Sequence, residues 1–415
     1  MVRRLAANLA LVLVGIVIAL AIGELALRVV NRHFPYFFCY DAQRGWGLKP
    51  GASGHYDREG ESWVQINAEG FRGPVRTRAK PPGVFRLVVL GDSYTEAIEV
   101  PYEQTFSAVL ERQLANCPAL KGKRIEVLDL GVSGYGTAQE LITMRQQAWA
   151  YSPDAVVMAI FLGNDVRNNS VVLEGDQCRP FYMMRDGTLA LTGPFINSDS
   201  FRFWCMARFD YRDASIPGML ANSWDIVMHH EHGPTADSPS ERAINYDIYK
   251  PPADQAWHDA WDVTDALVAQ TAREVAAHHA MFLAVTLDTG IQVWPDPKIR
   301  ERFMRRQGIT DLFYPDEHMQ ALGTRDGFDV LTLAPAMAAY AEQHRVYLHG
   351  FSNTPMGFGH WNAEGHRIAG ELMAERLCHM SGASVPTSGA PVPTSGAPVP
   401  MSGAVPMSGA KSGAN

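Results

Sequence analysis

Four short segments carry side chains that could perform nucleophilic chemistry together. In chain order they are Gly91-Asp92-Ser93, Gly131 to Gly134, Gly163-Asn164-Asp165 and His360-Trp361-Asn362. Ser93 offers a hydroxyl nucleophile, and His360 an imidazole that can take the serine proton and return it to a leaving alcohol. The N–H groups of Ser93 and Gly134 and the amide of Asn164 are three donors for a developing oxyanion. The ordered set predicts catalysis by Ser93.

Each of these residues also has an ordinary structural interpretation. A serine after a strand is a common helix N-cap, and glycine and asparagine are common turn residues. A lone histidine such as His360 is often a surface residue, and His366 on the next helical turn is expected to be structural. The functional interpretation therefore depends on the set and not on any one member.

The first three segments directly follow apolar, strand-like runs at 84–90, 125–130 and 155–161. Two more such runs lie at 281–287 and 328–333, and helical patterns cover 105–115, 137–151, 254–280 and 363–380. Strands alternating with helices predict an α/β fold, a parallel sheet covered by helices on both faces. Such sheets bind ligands beyond the carboxyl ends of their strands, which is where Ser93, Gly134 and Asn164 stand.

The motifs Gly-Asp-Ser-Tyr-Thr-Glu and His-Trp-Asn-Ala-Glu-Gly-His resemble those of the SGNH hydrolases, also called GDSL-type esterases and lipases. The likeness spans 84 to about 380 and is interrupted by an insertion. The serine, glycine, asparagine and histidine of the family fall on Ser93, Gly134, Asn164 and His360. The resemblance implies a flavodoxin-like three-layer α/β/α domain with a five-stranded parallel sheet. It also implies hydrolysis of acyl esters through a serine-bound intermediate, with no metal and no other cofactor.

The chain departs from the family at one position. The family usually has an aspartate three residues before the histidine, and here that position is Gly357. In a protease triad, losing the orienting acid costs about 10⁴ in turnover. Three explanations are open: a carboxylate elsewhere, such as Asp329 or Glu364, a backbone carbonyl that holds the imidazole, or a weakened enzyme. We favour a backbone carbonyl from the Pro- and Gly-rich loop 354–359.

The N-terminus has the pattern of a membrane anchor. Arg3 and Arg4 precede an uncharged apolar run over 5–23, which is long enough for one membrane crossing. Arginines on the N-terminal side predict a body on the extracytoplasmic side. A cleaved signal peptide, suggested by Ala19-Leu20-Ala21, and a buried helix of a soluble core are the alternatives. An uncleaved anchor over 1–32 is favoured because the run exceeds a typical signal core.

The remaining segments are assigned from composition. Residues 33–82 form a lead-in that packs on the hydrolase domain, 83–380, and residues 166 to about 250 form an insertion above the sheet. The tail, 381–415, repeats small residues and proline with a period near seven and is predicted to be disordered. Among five cysteines, Cys178 and Cys205 are the expected disulfide pair if the body lies outside the cytoplasm, and buried free thiols are the alternative.

Several other kinds of site are not supported. A net charge of -8 and a pI near 6.0 give no basic field for nucleic acid. The run His229 to His232 lacks the spacing of zinc proteases and is expected to be a solvated loop. Ser133 is not expected to be a nucleophile, because a nucleophile elbow would need glycine where Tyr135 stands. No metal site and no phosphate or dinucleotide fingerprint is predicted.

These observations predict a membrane-anchored, extracytoplasmic serine ester hydrolase acting on a small-molecule, lipid or glycan ester. Ser93 and His360 would be catalytic, and Ser93, Gly134 and Asn164 would form the oxyanion hole. Two alternatives keep the same pocket. One is an O-acyltransferase acting on envelope polysaccharide, and the other is a binding module that is catalytically weakened by loss of its acid.

Overall fold

The computed structural model describes residues 2–29, 37–213 and 244–382. Its strands are β1 Phe38–Asp41, β2 Gly45–Leu48, β3 Ser53–Tyr56, β4 Ser62–Gln65, β5 Val84–Gly91, β6 Arg124–Asp129, β7 Ala155–Phe161, β8 Phe181–Arg185, β9 Thr188–Thr192, β10 Met281–Leu287 and β11 Asp329–Thr332. Its α-helices are α1 Val2–Val29, α2 Ser93–Glu96, α3 Phe106–Leu114, α4 Thr137–Gln146, α5 Asp165–Asn168, α6 Pro194–Asn197, α7 Asp199–Asp213, α8 Gln255–Ala277, α9 Pro297–Gln307, α10 Tyr314–Asp326, α11 Ala334–His344 and α12 Ala363–Met380.

The centre of the body is a five-stranded parallel sheet with the order β11-β10-β7-β5-β6. Every residue of β5 and β7 is buried, which explains why these strands are almost entirely apolar and do not alternate; the exception is Arg86 in β5, which pairs with Glu126. The predicted α/β fold with five parallel strands is confirmed. The bounds of β7 and β10 match the prediction, and those of the other three differ by one residue at each affected end.

Helices cover both faces of the sheet. Alternate side chains of β5 enter two separate cores: Val88 packs with α4 and α8, and Val89 packs with α3 and α12. The helices α9, α10 and α11 were not predicted. The helix α9 buries only Phe303, and three of the four buried residues of α11 are alanines, so few large apolar side chains mark these helices in the sequence.

The segments outside the sheet form small hairpins. Within residues 33–82, β1 pairs with β2 and β3 with β4, both antiparallel. Strands of four residues are too short to show a clear alternating pattern, which is why none was predicted. Within residues 166–250, β8 pairs with β9, and α6 and α7 follow. The predicted loop at His229 to His232 and most of the tail lie outside the described residues.

Two disulfides cross-link the body. Cys178 and Cys205 are bonded, which confirms the expected pair. A second bond joins Cys117, after α3, to Cys378 in α12. This bond was not predicted, because its partners are 261 residues apart and no local pattern relates them.

The N-terminal helix α1 carries the predicted apolar run. The most apolar 18-residue window of its segment Arg3–Ala26 has a mean hydropathy of 2.8, and none of that window is buried against the rest of the chain. The alternative of a buried core helix is therefore wrong. The helix is long and apolar enough to cross a membrane, a property that signal sequences share.

Candidate active site

Ser93 follows β5, an interior strand of the sheet that lies between β7 and β6. Strand β5 ends at Gly91, and Ser93 is the first residue of the short helix α2. Asp92 caps this turn by accepting a hydrogen bond from the N–H of Tyr94 at 3.0 Å. A Cβ at position 91 would lie 2.1 Å from the Thr95 hydroxyl oxygen, so only glycine allows the chain to turn so tightly. The turn fixes Ser93 at the carboxyl edge of the sheet.

The imidazole of His360 meets Ser93 directly. Its Nε2 lies 2.8 Å from the Oγ of Ser93, although the two residues are 267 positions apart. The loop that carries His360 is held through the carbonyl oxygen of Gly359, which accepts hydrogen bonds from the Tyr94 hydroxyl at 3.0 Å and from Nδ1 of His349 at 2.7 Å. A quarter of the His360 side chain is exposed, so a ligand can reach the pair.

The carboxylate that contacts the His360 ring is Glu59, from the segment 33–82. Its Oε2 lies 2.8 Å from Nδ1 of His360, and its Oε1 accepts the backbone N–H of His360 at 2.6 Å. Our expectation of a backbone carbonyl is therefore wrong. The other carboxylates considered are engaged elsewhere: Asp329 pairs with Arg376, and Glu364 with Arg367.

The backbone at position 357 explains why no aspartate stands there. Gly357 has a φ of +86°, and a Cβ would lie 2.4 Å from the ring of Trp294. Its N–H also donates to the carbonyl of His349 at 2.9 Å. The loop is folded so that a side chain does not fit at this position, and the carboxylate comes from a different segment.

Asn353 fastens the turn that carries Glu59 to the loop that carries His360. Its Nδ2 donates to the carbonyls of Asp57 and Gly60, both at 2.9 Å. Its Oδ1 accepts the N–H of Gly60 at 3.0 Å. These three bonds join the turn of Glu59 to the loop of His360, and they therefore hold the two side chains at a fixed distance.

The predicted oxyanion donors follow the two strands beside β5. Gly134 lies beyond β6 with a φ of +77°, and Asn164 follows β7. The loop before Gly134 is held by Ser133, whose N–H donates to Oε2 of Glu96 at 2.5 Å and whose carbonyl accepts from Nε1 of Trp46 at 3.0 Å. Since β6 and β7 flank β5, both residues stand at the same edge of the sheet as Ser93.

The charges around His360 are mostly negative. Burial alone would lower its pKa, but the carboxylates of Glu99, Glu59 and Asp92 outweigh burial and hold the pKa above its usual value. Burial has the opposite effect on the carboxyl groups: it raises the pKa of Glu99 to about 7 and that of Asp92 to about 6. For Glu59, burial opposes ionisation, but the contact with His360 lowers its pKa. The site therefore favours a positively charged imidazole.

Three of these residues carry atoms of the kind that bind metal ions. Glu59, Glu99 and His360 each offer one ligand atom, and these atoms lie within 4.8 Å of one another. The short contact between Nδ1 of His360 and Glu59 makes an acid–base role the simpler description of this group.

His366 has the structural position expected of it: it is 1% exposed, and its Nδ1 accepts the N–H of Phe106 at 3.3 Å.

No protein-family model and no curated protein sequence matches this chain. The solved structures to which it is similar include a lipolytic protein of the G-D-S-L family from Desulfitobacterium hafniense DCB-2, at 12% identity and a TM-score of 0.33, covering 70% of this chain and 97% of that one. They also include a catalytic mutant of an acetylxylan esterase from Geobacillus stearothermophilus, at 13% identity and a TM-score of 0.36, covering 73% and 97%. A lipase/acylhydrolase from Enterococcus faecalis matches at 11% identity and a TM-score of 0.34, covering 72% and 97%. These values are too low to transfer an activity, so the functional argument depends on the geometry of the site.

Proposed function

We propose that the protein is a membrane-anchored, extracytoplasmic serine ester hydrolase. The observation that carries the proposal is the continuous chain from Ser93 Oγ to His360 Nε2, at 2.8 Å, and from His360 Nδ1 to Glu59 Oε2, also at 2.8 Å. A serine, a base and an acid in this sequence of contacts are the arrangement that activates a hydroxyl for acyl transfer. A binding module does not need this arrangement. The binding-module alternative depended on the absence of an orienting acid, and Glu59 supplies a carboxylate at Nδ1 of His360.

The proposed order of proton transfers follows these contacts. Nε2 of His360 takes the proton of the Ser93 hydroxyl while Oγ bonds to the acyl carbon. The carbonyl oxygen becomes an oxyanion, for which the N–H groups of Ser93 and Gly134 and the amide of Asn164 are the candidate donors. As the C–O bond to the alcohol breaks, the imidazolium returns its proton to the leaving oxygen. Water then repeats both steps on the acyl-enzyme and releases the acid.

The compartment is proposed from two features of the chain. Arg3 and Arg4 precede the apolar helix α1, and this charge distribution favours a cytoplasmic N-terminus. The body also carries the disulfides Cys117–Cys378 and Cys178–Cys205, which persist in oxidising compartments and are rare in the cytoplasm. Both features support a body on the far side of the membrane.

Two reagents test the proposal. The full chain should hydrolyse a short-chain aryl ester and should be labelled by a fluorophosphonate at Ser93, and Ser93→Ala should lose both properties while keeping its thermal unfolding midpoint. Ser53→Ala is the matched control, because Ser53 is an exposed residue of β3 with no part in the proposed site, and this variant should keep both properties. Equal hydrolysis by Ser93→Ala and the wild type would exclude the assignment. Adding a polysaccharide acceptor to the same assay distinguishes hydrolysis from O-acyl transfer, since only a transferase would form acylated glycan in preference to free acid.

A further inference from the structure

A second buried carboxylate faces the same nitrogen of His360 as Glu59. Oε1 of Glu99 lies 3.4 Å from Nδ1, and the Glu99 side chain is 3% exposed. Its other oxygen, Oε2, is buried and has no hydrogen-bond partner among the residues that the structure describes. A buried carboxylate with an unsatisfied oxygen is destabilising for the fold, so its position calls for a functional reason.

The backbone holds Glu99 in this position. The turn that carries Glu59 packs on it so closely that a Cβ at Gly60 would lie 2.3 Å from the Glu99 carbonyl oxygen. Next to it, the carbonyl of Ile98 accepts the Ser62 hydroxyl at 2.5 Å, and the carbonyl of Val100 accepts Nη2 of Arg72 at 2.5 Å. The residues on both sides of Glu99 therefore hold it in place between Glu59 and the turn that carries Ser93.

We propose that Glu99 is a second positioning carboxylate, which stabilises the imidazolium formed when His360 takes the Ser93 proton and which can hold the ring in place of Glu59. This inference rests on the proposed function. When the proton moves from Oγ to Nε2, the ring gains one positive charge, and Glu59 and Glu99 then face it together. A negative charge 3.4 Å away in a buried site stabilises that state far more than one in water would.

The charge balance around Glu99 determines how the ring titrates. Burial and the neighbouring Glu59 raise the pKa of Glu99, while His360 and Arg72 lower it. The charged and titratable groups that face it are His360, Glu59, Glu96, Arg72 and Tyr56. Removing its negative charge removes one of the two carboxylates nearest to Nδ1, so the imidazolium should lose its proton at lower pH.

The test compares Glu99→Gln with wild type in the full chain. We expect the acidic limb of kcat/KM to move down by about one pH unit, with kcat about tenfold lower. The thermal midpoint should stay the same or rise, because the substitution removes a buried charge beside other carboxylates. Glu61→Gln is the matched control, since this residue lies two positions from Glu59, has a 76% exposed side chain and should change nothing. An unmoved limb, or a parallel loss of stability and rate without a shift, would overturn the proposal.

A double-variant series tests the ability of Glu99 to replace Glu59. Glu59→Gln alone should retain about one part in 10² of kcat, and Glu59→Gln with Glu99→Gln should approach the loss of about 10⁴ that follows removal of an orienting acid. If Glu99→Gln does not fold, Glu99→Asp withdraws the carboxylate from Nδ1 and should still deepen the Glu59→Gln defect. Equal losses in the single and double variants would mean that Glu99 does not hold the ring.

An activity-independent readout separates this inference from the proposed function. NMR titration of the His360 ring, assigned by its absence in His360→Asn, should give a lower pKa in Glu99→Gln than in wild type. An unchanged ring pKa in a wild type that hydrolyses esters would overturn the role of Glu99 and leave the esterase intact. A wild type that neither hydrolyses esters nor reacts with fluorophosphonate would overturn the proposed function, whatever the titration gives.

Discussion

The carboxylate of Glu59 binds His360 at two atoms, the backbone N–H at 2.6 Å and the ring Nδ1 at 2.8 Å. The two residues are 301 positions apart, and one belongs to a turn of the lead-in while the other precedes the last helix. This contact makes the turn that carries Glu59 part of the candidate active site.

Gly359 should be required for the approach of Glu59. It has a φ of +74°, and a Cβ there would lie 2.0 Å from Glu59 Oε1. Gly51 has the same φ, but nothing lies within 4 Å of its Cβ position. Both Gly359→Ala and Gly51→Ala should lose about 1 kcal/mol of stability from backbone strain, whereas only Gly359→Ala should lose about 10² in kcat/KM. Equal activity in the two variants, measured beside their unfolding midpoints, would show that Glu59 is not needed.

The pH profile should reflect the carboxylates around the base. His360 must be neutral to accept the Ser93 proton, and its neighbours hold its pKa above the ordinary value of about 6.5. We therefore expect kcat/KM to increase about tenfold per pH unit on the acidic side, with the midpoint above pH 6.5. The rate of fluorophosphonate labelling should follow the same curve, because it requires the same neutral imidazole. A midpoint at or below pH 6.5 in both assays would contradict this electrostatic description.

Introducing an aspartate at position 357 should not increase activity. Gly357→Asp places a side chain against the Trp294 ring and imposes a left-handed backbone on a residue with a Cβ. We expect a loss of about 2 kcal/mol or more in unfolding free energy and no gain in kcat. Gly122→Asp is the control, since Gly122 also has a positive φ but has open space around its Cβ position. An active, stable Gly357→Asp that no longer needs Glu59 would refute the argument.

The disulfide between Cys117 and Cys378 should contribute more to stability than the one between Cys178 and Cys205. It closes a separation of 261 residues, against 27 for the second bond, and in the chain-entropy description a longer loop gives a larger effect. Replacing both Cys117 and Cys378 by alanine should cost about 3–5 kcal/mol, and the Cys178 and Cys205 pair should cost less. Chemical denaturation of the two double variants measures this. If the Cys178 and Cys205 pair contributed more, loop length would not be the main determinant of the stability that these disulfides provide.

The sequence predicted the elements whose signals are local. The buried runs that became β7 and β10 were placed to the residue, because parallel strands covered on both faces are continuously apolar. The residues Ser93, Gly134, Asn164 and His360 were predicted from motif and order, and the strand order places three of them at one edge of the sheet. Cys178 and Cys205 were paired correctly because they lie in the same inserted segment.

The features that depend on distant contacts were missed for a physical reason. Glu59 stands in a short turn, Arg58-Glu59-Gly60-Glu61, that has no pattern distinguishing it from an exposed acidic loop. The contact between Glu59 and His360 forms only when the chain folds. The lack of space for a side chain at Gly357 likewise becomes apparent only in the folded structure. The same is true of Cys117 with Cys378. Gly359 was a visible clue, since a glycine directly before the histidine leaves room for a group approaching from elsewhere.

The central claim is that the Ser93 hydroxyl attacks an acyl ester and carries the acyl group. Intact-protein mass spectrometry of the full chain, quenched in acid within the first turnovers of an aryl acetate, tests this most directly. We predict one added acetyl group per chain, located on the peptide that contains Ser93 and absent from Ser93→Ala and His360→Asn. Turnover of the ester with no adduct on Ser93, or with the adduct retained in Ser93→Ala, would contradict the account.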